Sequence, residues 1–210
     1  MDSEKKFIIT ISRQLGSGGA YVGKQLAQKL DIYYADREIL CEAAKKFSLG
    51  EEDLIHHEEK LRSLWKSFLQ FNALSTEVDL PPRFLGPTSR ELYQTEAEII
   101  EQIARERSAV IIGRCGFHVL RNYINCIKIF LHADVAFRNG RIQELYEVSE
   151  DAAAKMIVKN DKERGNYINT FTGKQWTDAR QYDLSIDTGK IGVDHTVDLI
   201  LNYLEINRLQ

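Results

Sequence analysis

Proline is scarce in this chain. There are three in 210 residues, Pro81, Pro82 and Pro87, all within one short stretch. With only 13 glycines, this excludes collagen-like and low-complexity disordered chains. Cysteine is equally sparse: Cys41, Cys115 and Cys126, without C-x-x-C spacing. That excludes a disulfide framework or a zinc ribbon, and reads as reduced, packed thiols of a cytoplasmic protein. No apolar run approaches the ~20 residues that cross a bilayer, and the apolar stretch after Lys6 is too short for a signal peptide. No membrane partner is expected. Charge of one sign is also missing, with 28 Lys and Arg against 31 Asp and Glu, a net charge of −3. A polybasic nucleic-acid binder is excluded on bulk charge, whereas a local anion site is not. What remains is a chain of 24.2 kDa with 43% hydrophobic and 28% charged residues. Such a chain forms one domain with room for an insertion, and can bury roughly 70% of its unfolded surface.

The hydrophobic pattern alternates short β-branched runs with helical periodicity. Phe7–Ser12, Ile32–Ala35, Ala109–Ile112, Cys126–Leu131 and Asp183–Ile186 read as strands. Val22, Leu26 and Leu30 mark an amphipathic helix, and Leu92, Ala97, Ile99, Ile100 and Ile103 mark another. Helices are also expected over 37–47, from a capping box at Ser48–Glu51 to about Phe71, after a second box at Thr88–Glu91, over 134–147, after an N-cap at Ser149, and from Val193 to about Leu204. Residues 73–87 are irregular. Strands alternating with helices imply an α/β domain with a five-stranded parallel sheet, whose ligands bind beyond the carboxyl ends of the strands. Three strand ends carry an arginine, at Arg13, Arg37 and Arg114. A guanidinium there is a candidate phosphate ligand through two parallel hydrogen bonds.

Between the first strand and its helix lies Ser12-Arg13-Gln14-Leu15-Gly16-Ser17-Gly18-Gly19. Glycines let backbone amides converge on an anion, and the helix N-terminus adds partial positive charge. Gly16, Ser17, Gly18 and Gly19 are therefore candidate donor-phosphate ligands. The literal pattern G-x-x-x-x-G-K-[ST] nearly matches from Gly18 to Gln25, but it would place Gly23-Lys24 inside the helix. Counting from the strand end instead puts Arg13 at the first glycine, Gly18 at the second, Gly19 at the lysine and Ala20 at the hydroxyl residue. In that register Arg13 replaces the missing lysine charge. A dinucleotide-binding alternative uses Gly16-x-Gly18 with Asp36 after the second strand, but Tyr21 stands at the third glycine position. The His56-His57-Glu58-Glu59 run lacks zinc-site helical spacing and reads as a solvated face. Trp65, Phe68 and Phe71 read as packing. Trp176 is left between packing and a nucleotide base.

Ile11–Gly19 with Gly23-Lys24-Gln25-Leu26-Ala27, then Ile111–Cys115, Lys128–Ala133, Asp161–Arg164, Tyr167, Thr172-Gly173, Trp176–Asp178 and Tyr182–Leu184 together resemble the cytidylate-kinase-like family. This is a branch of the P-loop nucleoside monophosphate kinases. The resemblance implies a three-layer P-loop NTPase-like fold over 1–210, with a helical acceptor-binding insertion over 37–90 and a helical lid over 137–167. It implies ATP and Mg2+, small nucleotides as ligands, and phosphoryl transfer to a nucleoside monophosphate, CMP or dCMP first. Turnover is the point at issue because the loop lysine is missing. The other possibilities are a nucleotide-binding protein of the same fold with little turnover and a dinucleotide-dependent oxidoreductase. Arg13 by its register, and Arg114, Lys162 and Arg164 by the same resemblance, are catalytic; Asp36, Arg114 and Asp161 bind the acceptor, with Arg37 added by its strand-end position. Arg138, Arg141 and Lys159 belong to the lid. Cys115 replaces the aspartate of a Gly-Arg-Asp motif, and Asn166 stands where a further arginine is expected. No metal ligand is assigned; Ser17 and Asp36 are the candidates.

Overall fold

The computed structural model describes residues 6–36, 39 and 89–208. Most of the stretch expected to form the insertion lies outside them, and with it Arg37, Cys41, His56, His57, Trp65, the two helices expected over 37–71, the proline stretch and Thr88. The described strands are β1 (Ile8–Arg13), β2 (Tyr33–Ala35), β3 (Ala109–Ile112), β4 (Cys126–His132) and β5 (Leu184–Asp187). The helices are α1 (Gly19–Leu30), α2 (Ser89–Glu106), α3 (Gly116–Val119), α4 (Val135–Tyr146), α5 (Glu150–Thr172), α6 (Thr188–Ile191) and α7 (Val193–Arg208). A single 3-10 turn, Ala179–Gln181, precedes β5.

All strand pairs are parallel, in the order β2-β3-β1-β4-β5. Period-two alternation sorts their side chains onto two faces. Ile9, Ile11, Val110, Ile112, Ile129 and Leu131 pack with Val22 and Leu26 of α1 and with Val197, Ile200 and Leu204 of α7. Ile8, Ala109 and Ile111 face the other way, onto Ile99, Ile100 and Ile103 of α2. The sheet is therefore covered on both sides, which is why its strands read as near-continuous apolar runs. β1 is central, bonded to β3 from Ile8↔Ala109 and to β4 from Ile8↔Cys126. This order separates β2 from β1. A dinucleotide fold keeps those two strands adjacent, so the oxidoreductase alternative loses its topology.

Capping explains where the later helices begin. Asp134 accepts the Phe137 amide at 2.7 Å and starts α4; Ser149 accepts that of Ala152 at 3.3 Å and starts α5, with Glu150 and Asp151 in the first turn. α4 and α5 pack on each other through Ile142, Ala153 and Ile157, with Leu15 of the glycine loop against them. α5 runs on to Thr172, where Gly173 (φ 66°) ends it. Gly23 and Lys24 lie inside α1, and Lys24 is exposed. Interior helix amides are spent on the helix itself, so the Gly18–Gln25 register is not a phosphate loop. Gly23 serves packing: a Cβ there would sit 2.5 Å from Ile112 Cδ1.

Candidate active site

The loop after β1 reverses through two left-handed glycines, Gly16 (φ 83°) and Gly18 (φ 81°), a conformation that costs other residues. Ser17 is fully buried, and its hydroxyl donates to Gln14 O at 2.9 Å. The buried Thr188 hydroxyl lies 2.9 Å from Ser17 O and 3.1 Å from His132 O, tying the loop to β4 and α6. Val22 N is the first α1 amide to bond back, to Gly18 O at 3.0 Å. The amides of Gly19, Ala20 and Tyr21 are the open first-turn donors that make a helix N-terminus an anion site.

Gly19 holds the lysine position of the strand-end register. A Cβ there would meet Arg13 Cγ at 2.6 Å and Arg13 Cβ at 2.7 Å. Arg13 thus occupies the space a lysine stem would start from. Its side chain continues over Gly113, where a Cβ would lie 2.1 Å from Arg13 Nη1.

Gly113, Arg114 and Cys115 form the turn after β3, all with positive φ (72°, 51° and 54°). Two non-glycine residues there hold strain of about 1–3 kcal/mol each, offset by the contacts that fix them. Arg114 Nη1 lies 3.2 Å from Glu96 Oε1. Cys115 is buried, and burial pushes its thiol up to about 12. It is a neutral wall at physiological pH, not a nucleophile.

α5 supplies the opposite wall. Asn160, Glu163, Arg164, Tyr167 and Ile168 follow i, i+3, i+4, i+7, i+8 spacing and share one face. With Ser12, Arg13, Gly113, Arg114, Cys115 and Trp176 they enclose a cleft of about 320 Å³. Arg13, Arg114 and Arg164 converge there from three separate segments. Arg164 Nη1 donates to Arg13 O at 2.8 Å. Desolvation, then the charge of Arg13, pushes Arg164 down to about 9; burial also lowers Arg13, although Asp36 at 3.9 Å works against it. Arg164 stays protonated at pH 7. Like charges held this close in a partly dry cleft favour a bound anion.

The other expected site residues are placed less centrally. Asp161 clasps the loop: Oδ1 accepts the Leu15 amide at 3.3 Å and Oδ2 pairs with Arg138 Nη1 at 2.6 Å. Arg138 is buried against the loop, its backbone and Cβ about 3 Å from where a Gly16 Cβ would stand. Arg141 Nη2 is 3.7 Å from the corresponding point on Gly18. Asp36 sits at the end of β2 with Arg13 and the Tyr34 hydroxyl. Lys159 and Lys162 do not line the cleft, and Lys162 is exposed. Trp176 packs edge-on to Phe130 (5.6 Å) and against Gly165 of α5 while lining the cleft, so it serves packing and cleft wall together.

The loop does not fit a directly coordinated magnesium ion. Ala20 has no hydroxyl, Ser17 is buried and turned to Gln14 O, and Asp36 is engaged by Arg13. Among the described residues no group of three or more His, Cys, Asp or Glu could hold a metal, and no helix is long and apolar enough to cross a membrane.

Sequence reasoning did not single out Glu96, Asn160 or Glu163. The signal for Glu96 is its register: 96, 99, 100 and 103 form one helical stripe, three isoleucines and one carboxylate. Residues 160–168 leave a weaker signal, because a polar cleft-facing stripe resembles a solvated face.

Comparison with known proteins bears on the family and the fold. Residues 8–190 match the family model described as the cytidylate kinase-like family. A cytidylate kinase of Saccharolobus islandicus is 32% identical over 200 residues, covering 95% of this chain and 91% of its own. Among solved structures, an uncharacterized protein from Eubacterium ventriosum superposes with a TM-score of 0.71 at 28% identity, covering 95% of this chain and 99% of that one. Shikimate kinase from Bacteroides thetaiotaomicron follows at 0.54 and 14% identity, covering 95% and 98%. At that identity it shows the fold alone, the P-loop kinase fold.

Proposed function

Because the chain belongs to the cytidylate kinase-like family, which supports nucleotide kinase activity, we propose that it transfers the terminal phosphoryl group of ATP to a nucleoside monophosphate, with CMP and dCMP the first acceptors to try. The observation that carries this reading is the convergence of Arg13, Arg114 and Arg164 on one cleft beside the glycine loop. Phosphoryl transfer asks little covalent chemistry of a protein. It asks for in-line positioning, exclusion of water and positive charge around the moving oxygens.

The residues divide these tasks. The loop Gly16–Gly19, with the open first-turn amides of Gly19, Ala20 and Tyr21, holds the donor phosphates, and Arg13 supplies the charge that the lysine supplies elsewhere. Arg114, with Arg37, fixes the acceptor phosphate, and Asp36 lies on that side. Arg164, in the same cleft as Arg13 and Arg114, takes the charge developing on the transferred group. The 137–167 segment acts as the lid: Asp161 and Arg138 register it on the loop, Arg141 faces the donor, and Lys159 and Lys162 add to the field. The 37–90 segment is the acceptor-binding insertion. Magnesium would arrive bound to ATP and would neutralise its phosphates; the residues named here position and polarise without it.

ADP release from ATP, measured by a coupled assay against a panel of ribo- and deoxyribonucleoside monophosphates, tests the proposal. Turnover with at least one monophosphate, above the ATP-only rate, is expected. ATP binding without turnover on any acceptor would favour a nucleotide-binding protein instead.

A further inference from the structure

Glu96 is fully buried on α2, and the kinase reading above leaves it without a task. A carboxylate with no exposure costs several kcal/mol unless its oxygens are satisfied by charge and hydrogen bonds. Here the two oxygens are divided between two other elements. Oε1 pairs with Arg114 Nη1 from the β3 turn at 3.2 Å, and Oε2 accepts the Tyr167 hydroxyl from α5 at 2.8 Å. Tyr167 and Arg114 both line the cleft, whereas Glu96 does not. The aromatic packing of Tyr93, one turn earlier on α2, repeats the link: its ring stacks on Phe171 of α5 at 4.6 Å and meets Tyr167 edge-on at 6.4 Å.

We propose that Glu96 is a positioning residue that aims Arg114 at the acceptor's phosphate and couples that aim to the seating of α5 through Tyr167. Arg114 stands on a strained backbone (φ 51°), so its direction is fixed by contacts and not by local preference. When α5 is seated, Tyr167 occupies Oε2, and Glu96 is held in the rotamer that presents Oε1 to Arg114. When α5 lifts, Oε2 loses its donor in a dry site, and Glu96 is free to draw the guanidinium away from the cleft. Acceptor binding and α5 seating therefore favour each other. This rests on Arg114 being the acceptor-phosphate ligand.

Steady-state kinetics on Glu96→Gln, Tyr167→Phe, the double variant and Arg114→Ala test it, with ATP and CMP or whichever monophosphate the panel selects. Glu96→Gln keeps shape but loses charge; acceptor KM should rise about tenfold, the worth of one charge-assisted bond, while ATP KM changes less than about twofold. Tyr167→Phe removes only the hydroxyl and should lower acceptor kcat/KM about threefold to tenfold. The double variant should be no worse than Glu96→Gln alone, because the two residues act through one path. Additive losses, or equal effects on both substrates' KM, would overturn the proposal. If Arg114→Ala raises acceptor KM and Glu96→Gln does not, the positioning role fails alone. If Arg114→Ala also leaves acceptor KM unchanged, the assignment beneath it fails. Should Glu96→Gln not fold, Tyr167→Phe alone decides: no selective acceptor effect refutes the coupling.

Discussion

At the scale of single residues, the exchange proposed between Arg13 and Gly19 is the clearest departure from a standard phosphate loop. In the proposed register the cation stands at the first-glycine position, and a glycine stands where the lysine would be. The steric fit makes the exchange reciprocal, since a side chain at Gly19 collides with the Arg13 stem at 2.6 Å. Gly19→Lys alone should therefore lower ATP affinity, and Arg13→Ala should lower it about tenfold, the value of a charged hydrogen bond. Arg13→Gly with Gly19→Lys should recover most of the loss, as read by isothermal titration with ATP; a double variant weaker than both singles would refute the exchange. Cys115 gives an independent check. With its thiol pushed up to about 12 and Cys126 to about 11 by burial, neither reacts as thiolate at pH 8. Mass spectrometry after thiol labelling should find both unmodified in the native protein and modified after unfolding. The strand end at Arg13 was legible in the sequence, because a β-branched run stops there. Glu96 was not, because its partners are 18 and 71 residues away and only the fold brings them together.

At the scale of elements, strands and capped helices followed the sequence closely. β-branched runs bounded by polar residues became the five strands, and the Ser149 cap opens α5 as its side chain predicts. The short α3 and α6 were not foreseen: four residues carry too little periodicity to register. α5 is the element on which the cleft depends. One of its faces carries Asn160, Glu163, Arg164 and Tyr167, while Asp161 reaches the loop. Asp161→Asn keeps an oxygen for the Leu15 amide and removes the ion pair with the buried Arg138. A buried guanidinium left without its counter-charge is costly, so α4 and α5 should loosen together. Hydrogen exchange should speed up across 135–172 by about tenfold relative to the sheet strands. Unchanged protection there would show that Asp161 does not register this helix pair.

At the scale of the whole molecule, the near-neutral charge sum conceals a local gathering of arginines. Arg13, Arg114 and Arg164 share a cleft that Glu163 also lines, with Asp36 beside Arg13 and Glu96 beside Arg114. Arg164 is driven down to about 9 by burial and by Arg13. A base with a depressed folded pKa costs stability wherever both states are protonated, and the cost is relieved as pH rises through about 9. An anion relieves it at neutral pH. Inorganic phosphate and ATP should therefore raise the melting temperature of the native protein, and Arg164→Met should reduce that rise by half or more without lowering the unliganded melting temperature. A full rise in the variant would place the anion elsewhere. The central claim is that this lysine-free loop moves a phosphoryl group to a nucleoside monophosphate rather than to water. Phosphorus-31 NMR of the protein with ATP, magnesium and CMP tests it most directly. ADP and CDP growing in equal amounts, with inorganic phosphate flat, is the predicted result. ATP loss matched by inorganic phosphate alone, or no change with any monophosphate in CMP's place, would contradict it.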